Sequence, residues 1–368
     1  MSAGGRRVAL VTPRFPPQLG GVEQHVSELA RRLPEHGWEA DVLSEGPANA
    51  RERTPEGVDV LRFRRPLEGS PYATALGLWR HLWRHAGAYD LVHGHNFHAF
   101  PALAAALFAT GPFVFTPHYH GLGTSRLGRV LHRPYRPAGR RLVRRAGAIV
   151  CVSRGEAERF TSDFPESRPR VRVIPNGIDT AALARAAPLE VDGPVILTTG
   201  RMHPYKRLDR VLDAFALVEP PARLVVLGDG PARAAVSARA ITQGLDERAT
   251  FRGAVPRSEL DSWLRTAAVY VSLSEQEAFG IGVAEGAGGG ARVVASDIPA
   301  HREIAAMAPG AIDLVAPDAQ AEAVAAALRG ALASPPPPGA AHGVPGWDEV
   351  AGRTAELYDE LWTASRAP

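Results

Sequence analysis

Short apolar runs alternate along this chain with longer stretches in which apolar residues return every three or four positions. In the first half, Val8–Val11, Glu39–Leu43, Val58–Phe63, Leu91–His93, Phe113–Thr116 and Ala148–Val152 predict strands. Between the first two, Val26, Leu29, Ala30 and Leu33 fall at i, i+3, i+4 and i+7, one face of a helix over Glu23–Leu33. The second half repeats the alternation, with strands predicted at Val195–Thr199, Arg223–Leu227, Thr250–Phe251, Val269–Val271 and Arg292–Ala295. Strands alternating with helices imply parallel sheets, so the expected class is α/β, two Rossmann-like doubly wound domains facing a cleft. Ligands of such sheets bind beyond the carboxyl ends of the strands. Ser334-Pro-Pro-Pro-Pro-Gly339 is a stiff, extended interruption, and Trp347–Trp362 reads as a last amphipathic helix.

The length of 368 residues, with 45% hydrophobic and 22% charged, suffices for two ordinary cores. Its 37 Gly and 32 Pro are too many for a helical bundle and too scattered for a collagen-like or disordered chain. Residues 1–190 carry 26 basic and 17 acidic side chains, the remainder 16 and 22, an asymmetry expected of separate domains. The division is read as 1–187, 188–345 and a terminal helical segment 346–368. A single cysteine, Cys151, excludes a disulfide within the chain. Among 42 basic residues there is one lysine, Lys206. Coding bias toward GC-rich codons explains the arginines, and a surviving lysine then marks a place that needs a compact, rotatable ammonium.

Near the N-terminus Arg6-Arg7 precedes Val8–Val11, but Pro13 and Pro16 break the run too soon for a signal peptide. The apolar stretch from Ala99 toward Phe115 is broken by Thr110, Gly111 and Pro112, so it reads as a buried helix and a strand, not a membrane span. A soluble, cytoplasmic protein is expected. Arg126–Arg145 holds eight arginines and no acid. A solvated basic helix is the favoured reading, with peripheral contact to an anionic membrane at the inner face as the sharper alternative. Nucleic acid is not expected, because no stacking aromatics interleave these arginines.

The candidate chemistry sits at strand ends. Gly20-Gly21 follows the first strand and opens a helix, where backbone amides favour an anion. The dinucleotide pattern G-x-G-x-x-G is absent there, which argues against an NAD enzyme. Gly200-Arg201-Met-His-Pro-Tyr-Lys206-Arg207 follows Val195–Thr199 and places two cations where a diphosphate could be clamped. Ser274-Glu-Gln-Glu277-Ala278-Phe279-Gly280-Ile281-Gly-Val-Ala-Glu285 follows Val269–Val271 and spaces two carboxylates eight residues apart around a glycine turn. A helix starting near Gly280 would carry Glu285 on its second turn. Paired carboxylates can hold sugar and ribose hydroxyls or do acid–base work. His93, His95, His98, His118 and His120 gather at two neighbouring strand ends. No Cys or carboxylate accompanies them at ligand spacing and no Asp-x-Asp pair is present, so no metal is expected.

Taken together, G-R-x-x-x-x-K-R at Gly200, Gly228-Asp229-Gly-Pro231 and E-x-F-G with a second Glu eight residues on resemble the retaining family 4 glycosyltransferases of the GT-B fold. The N-terminal half agrees through Gly20-Gly21, His93-Gly-His95, Thr116-Pro-His118, Val152-Ser-Arg154 and Val173-Ile-Pro-Asn-Gly-Ile-Asp179, in order over nearly the whole chain. The resemblance implies an acceptor-binding first domain, a sugar-nucleotide-binding second domain and a last helix crossing back to the first. It implies that Arg201 and Lys206 bind the donor diphosphate and that Glu277 binds the transferred sugar. The Ala278–Ile281 backbone assists them, and Glu285 takes the ribose. Gly20, Gly21 and Gly200 would approach the phosphates, Gly228, Asp229 and Arg252 the base, and His118 the anomeric carbon. His93, His95, Asn96, Tyr119 and His120 are acceptor-side candidates. The reaction implied is hexosyl transfer with retention, from GDP-mannose or a UDP-sugar to a hydroxyl of a glycan, lipid-linked or small-molecule acceptor, without cofactor or metal. One departure is Glu285-Gly-Ala-Gly-Gly-Gly-Ala-Arg292, where the family has fewer glycines. Gly disfavours helix by about 1 kcal/mol against Ala, so a shorter or looser helix is expected there. The competing readings are a sugar-nucleotide 2-epimerase-type isomerase and a non-catalytic subunit of a glycosyltransferase complex.

Overall fold

The computed structural model describes residues 5–18, 20–66, 74–121 and 135–367. The chain divides into two compact units, Met1–Asn176 together with Trp347–Pro368, and Gly177–Gly346.

The first unit contains β1 (Arg6–Thr12), β2 (Trp38–Gly46), β3 (Ala50–Arg53), β4 (Asp59–Arg64), β5 (Leu91–His95), β6 (Phe113–Thr116), β7 (Ala148–Cys151) and β8 (Val171–Val173). They form one sheet in the order β3-β4-β2-β1-β5-β6-β7-β8, parallel except for the antiparallel β3–β4 pair. Leu10 at the centre of β1 pairs with Val42 of β2 on one side and His93 of β5 on the other. Val8–Val11 are fully buried, as an uninterrupted apolar run in a doubly covered parallel strand must be. β3 and β8 are additions that the apolar pattern does not predict. All four residues of β3 are exposed, and β8 is three residues long. The last helix, Trp347–Arg366, belongs to this unit. Trp38 donates its indole N–H to Asp359 at 2.7 Å, and Tyr358 Oη lies 2.6 Å from His93 Nδ1.

Of the basic segment Arg126–Arg145, residues up to 134 lie outside the described residues. The rest is a helix, Tyr135–Arg145, in which Arg145 donates to the carbonyls of Ala109 and Gly111 at 2.8 Å. Among the described residues no helix is long and apolar enough to cross a membrane.

The second unit contains β9 (Val195–Thr199), β10 (Arg223–Leu227), β11 (Ala249–Gly253), β12 (Ala267–Ser272), β13 (Arg292–Ser296) and β14 (Ile312–Val315). All pairs are parallel, in the order β11-β10-β9-β12-β13-β14. The unit begins at Gly177, eleven residues before the start at 188 read from sequence. Asp179 caps the helix Thr180–Arg185 by accepting from Ala182 N at 2.9 Å, and Leu183 is buried. Ile178 N donates to Pro345 O at 3.0 Å, so both ends of the unit are tied together.

The glycine-rich helix is Ile281–Gly288, short as expected, and Glu285 does lie on its second turn. Its glycines have a packing reason. A Cβ at Gly286 would stand 2.5 Å from Cγ of the buried Tyr270 on β12, and one at Gly282 would overlap the Tyr270 hydroxyl. The helix therefore rests directly on an aromatic ring, and the lost helix propensity is offset by close packing. Gly286→Ala is expected to destabilise the protein by about 1–3 kcal/mol through overpacking. In a thermal melt, each kcal/mol corresponds to roughly 2–4 °C for a unit of this size.

Candidate functional site

In the second sheet the chain runs from β9 outward to β10 and then returns to the other side of β9 at β12. Those two neighbours leave a topological switch point between their carboxyl ends, where open α/β sheets bind ligands. The Gly200 loop leaves β9 there and the Ser274–Gly280 loop leaves β12. Glu275 N donates to Tyr205 O at 2.8 Å and joins the two loops. Their charged side chains meet: Lys206 Nζ lies 2.5 Å from Glu277 Oε1, and both side chains are largely buried. Burial opposes the ammonium's charge, but the Glu277 carboxylate overcomes this and holds Lys206 above the ordinary lysine range. The Tyr205 ring adds a cation–π contact at 5.6 Å.

The pocket at this point is lined by Thr198, Thr199, Gly200, Arg201, Lys206, Ser272 and Ser274. Arg201 is exposed and its guanidinium has no ion-pair partner among the described residues. Neighbouring Arg207 is instead committed to Asp209 at 3.1 Å and Glu275 at 2.7 Å. Gly280 has φ 98° and caps the helix Ile281–Gly288, behind the buried Ala278 and Phe279. The site thus offers one paired ammonium, one free guanidinium, hydroxyls and a helix N-terminus, a set suited to a diphosphate.

The structure places three other candidates away from this pocket's lining. Asp229 accepts from Gly230 N at 2.7 Å and pairs with Arg233 at 2.9 Å. Its loop supports the site from below: Gly228 has φ 123°, and a Cβ there would overlap the Gly200 carbonyl. Met202 N donates to Asp229 O at 2.9 Å. Arg252 lies 3.4 Å from Glu259 and over the Trp263 ring. Glu285 is buried 2.5 Å from Arg257, whose other nitrogen lies 2.7 Å from the buried Asp261. Sequence reading misses Arg257, since nothing local links it to a carboxylate 28 positions away. Arg257→Ala would take the guanidinium away from two buried carboxylates. A loss of about 3 kcal/mol is expected, seen as a lower urea midpoint with unchanged slope.

The first sheet has its own switch point, between β1 and β5. Gly20 is extended, and Glu23 of the helix Gly21–Arg32 folds its carboxylate against the Gly20 backbone. His95 ends β5, and His118 follows β6 with φ 46°, a left-handed conformation that non-glycine residues rarely adopt. His25, on the helix opened by Gly20-Gly21, joins them. One ligand-capable nitrogen from each of His25, His95 and His118 lies within 4.8 Å of the others. Burial holds all three imidazoles neutral, with His25 lowered to about 4. His25 is absent from the sequence-derived candidates, although it borders the buried helical stripe of Val26 and Leu29.

The remaining acceptor-side candidates make internal bonds. His93 bonds Tyr358 at 2.6 Å and Thr116 at 2.7 Å. Asn96, at φ 73°, accepts from His98 N at 3.0 Å. Tyr119 is buried, with its N–H 2.5 Å from Glu156 and its hydroxyl 2.7 Å from Asp163. The His120 carbonyl accepts from Arg159 at 3.0 Å.

Residues 19–182 match the model of Glycosyltransferase Family 4, and residues 180–340 that of Glycosyl transferases group 1. The D-inositol 3-phosphate glycosyltransferase of Xylanimonas cellulosilytica is 28% identical over 82% of each chain. The phosphatidyl-myo-inositol mannosyltransferase of Mycolicibacterium smegmatis is 30% identical over 89% of this chain and 84% of its own. The solved sucrose-phosphate synthase of Thermosynechococcus elongatus shares the fold, with a TM-score of 0.78 and 20% identity over 98% of this chain and 100% of the other. With two parallel Rossmann-like sheets and these relatives, the chain belongs to the family 4 glycosyltransferases of the GT-B fold and is a transferase acting on a nucleotide-sugar donor.

Proposed function

We propose that this enzyme moves a hexosyl group from GDP-mannose or a UDP-sugar to an acceptor hydroxyl, with retention of anomeric configuration and without a metal ion. The observation that carries the proposal is the Lys206–Glu277 pair at the switch point of the second sheet, with Arg201 unpaired beside it. An ammonium has three N–H donors, so Lys206 can keep Glu277 and still donate to a diphosphate. Two fixed cations take the place a divalent ion would otherwise fill in neutralising the leaving group. Glu277, held by Lys206, presents its second oxygen to sugar hydroxyls. Retention follows a front-face course in which the departing phosphate oxygen accepts the acceptor's proton, so the chain needs no nucleophile of its own. The names of the two curated relatives favour an inositol-type polyol acceptor.

The test is incubation with UDP-, GDP- and ADP-sugars, with and without inositol acceptors and with EDTA present throughout. Transfer or slow donor hydrolysis supports the proposal. Donor interconversion would favour an epimerase, and binding without turnover a silent subunit. We also place the enzyme in the cytoplasm, with the basic segment Arg126–Arg145 solvated and peripheral contact with acidic lipid as the alternative. No co-sedimentation with anionic vesicles is the expected result, and binding that weakens with salt would favour the membrane contact instead.

A further inference from the structure

The switch point of the first sheet holds an arrangement that a substrate contact by His118 alone does not account for. Among the described residues, His25 Nε2, both ring nitrogens of His95 and His118 Nε2 are buried without a hydrogen-bond partner. Buried polar atoms are normally paired, because an unpaired one has given up its water without a replacement. The three rings pack together, His25 edge-on to both others, with centroids 5.4 Å apart for His25–His95, 5.0 Å for His25–His118 and 5.8 Å for His95–His118.

The surroundings orient these rings. His25 Nδ1 lies 2.7 Å from Asn176 Oδ1. An amide oxygen only accepts, so the proton sits on Nδ1 and the Nε2 lone pair is left for the cluster. A carbonyl-type oxygen behind the outer nitrogen is how metal-binding imidazoles are commonly fixed. His93, whose own nitrogens are engaged by Tyr358 and Thr116, packs against His95 at a tilt of 35° with centroids 4.1 Å apart. His118 is held in a left-handed backbone, a local strain that persists only where the surroundings impose it.

We propose that His25, His95 and His118 form a tris-imidazole site for a borderline first-row ion of the Zn(II), Co(II) or Ni(II) class, separate from the metal-free Lys206–Glu277 site. Three nitrogen ligands suit these ions and not Mg(II) or Ca(II), which prefer oxygen. Three protein ligands also leave a fourth position for water or an anion. The binding site stands on its own geometry. Its effect on the reaction rests on the function proposed above: while His118 ligates an ion, its ring is withdrawn from the substrate and transfer is inhibited.

The experiment is titration of metal-free, untagged full-length protein with Co(II), followed by visible absorption. One equivalent should bind with the intense d–d bands of a four- or five-coordinate ion, and Zn(II) should displace it. His95→Phe should lose at least 100-fold in affinity. Asn176→Leu should lose about 10–100-fold, as removal of an outer partner does. Circular dichroism and nucleotide binding verify that each variant is folded. Absent stoichiometric uptake by the wild type, the weak bands of a six-coordinate ion, or wild-type affinity in a folded His95→Phe variant would overturn the proposal. A protein that binds Co(II) but transfers no sugar retains this site and loses the proposed function. One that transfers sugar but takes up no Co(II) does the reverse.

Discussion

Lys206→Met is expected to lower turnover by about 10²–10³-fold, the usual effect of removing one group aimed at developing negative charge. Methionine keeps most of the stem and its packing but supplies no charge. The variant also leaves the largely buried Glu277 carboxylate without its counter-ion, so some loss of stability accompanies the loss of rate. Lys206→Arg is the finer test. It keeps the charge, but the ammonium stands 4.0 Å from where a Cβ at Gly200 would lie and touches Glu277 from a narrow gap between two loops. A planar guanidinium needs more room and a different set of directions. Turnover is expected to fall at least about tenfold. Near-normal steady-state rates in this variant would show that the lone lysine survives by chance.

Glu277→Gln carries the second large effect, a fall in kcat of about 10²-fold. The amide is nearly isosteric, so the pocket keeps its shape, but it offers one acceptor oxygen where the carboxylate offered two. It also frees Lys206, whose ammonium is then buried beside a neutral group and loses the stabilisation that holds its charge. The two residues act as a unit, so Lys206→Met combined with Glu277→Gln should cost little more than either change alone. The double variant should also recover stability relative to Lys206→Met, because no uncompensated charge remains. Parallel kcat measurements and urea midpoints on the four proteins check both statements.

How much of this was legible in the sequence differs by element. Central strands such as Val8–Val11 and Val195–Leu197 of β9 are continuous apolar runs buried on both faces, and such runs are visible in one dimension. The loops following β9 and β12 were equally visible, because glycine and charge cluster directly after a strand. Strand β3 was not, since an exposed edge strand such as Ala50–Arg53 is held by backbone pairing and needs no apolar side chains. The boundary at Gly177 depends on where Leu183 is buried, which composition does not record. Long-range pairing was the hardest to read. Lys206 with Glu277 and Arg257 with Glu285 are 71 and 28 positions apart, and only the sheet order brings each pair together. His25 is not legible in one dimension, because an imidazole on a helical face looks like any surface residue until β5 and β6 are set beside it.

The most direct test of the central claim, that Lys206 at the β9–β12 switch point holds the donor diphosphate, is calorimetric titration of wild type and Lys206→Met with UDP, GDP and ADP. The claim predicts that one nucleotide binds the wild type in preference to the other two and that the variant binds it at least about tenfold more weakly, as expected for a lost charge-assisted contact. Equal affinity of the folded variant and the wild type for that nucleotide would contradict it.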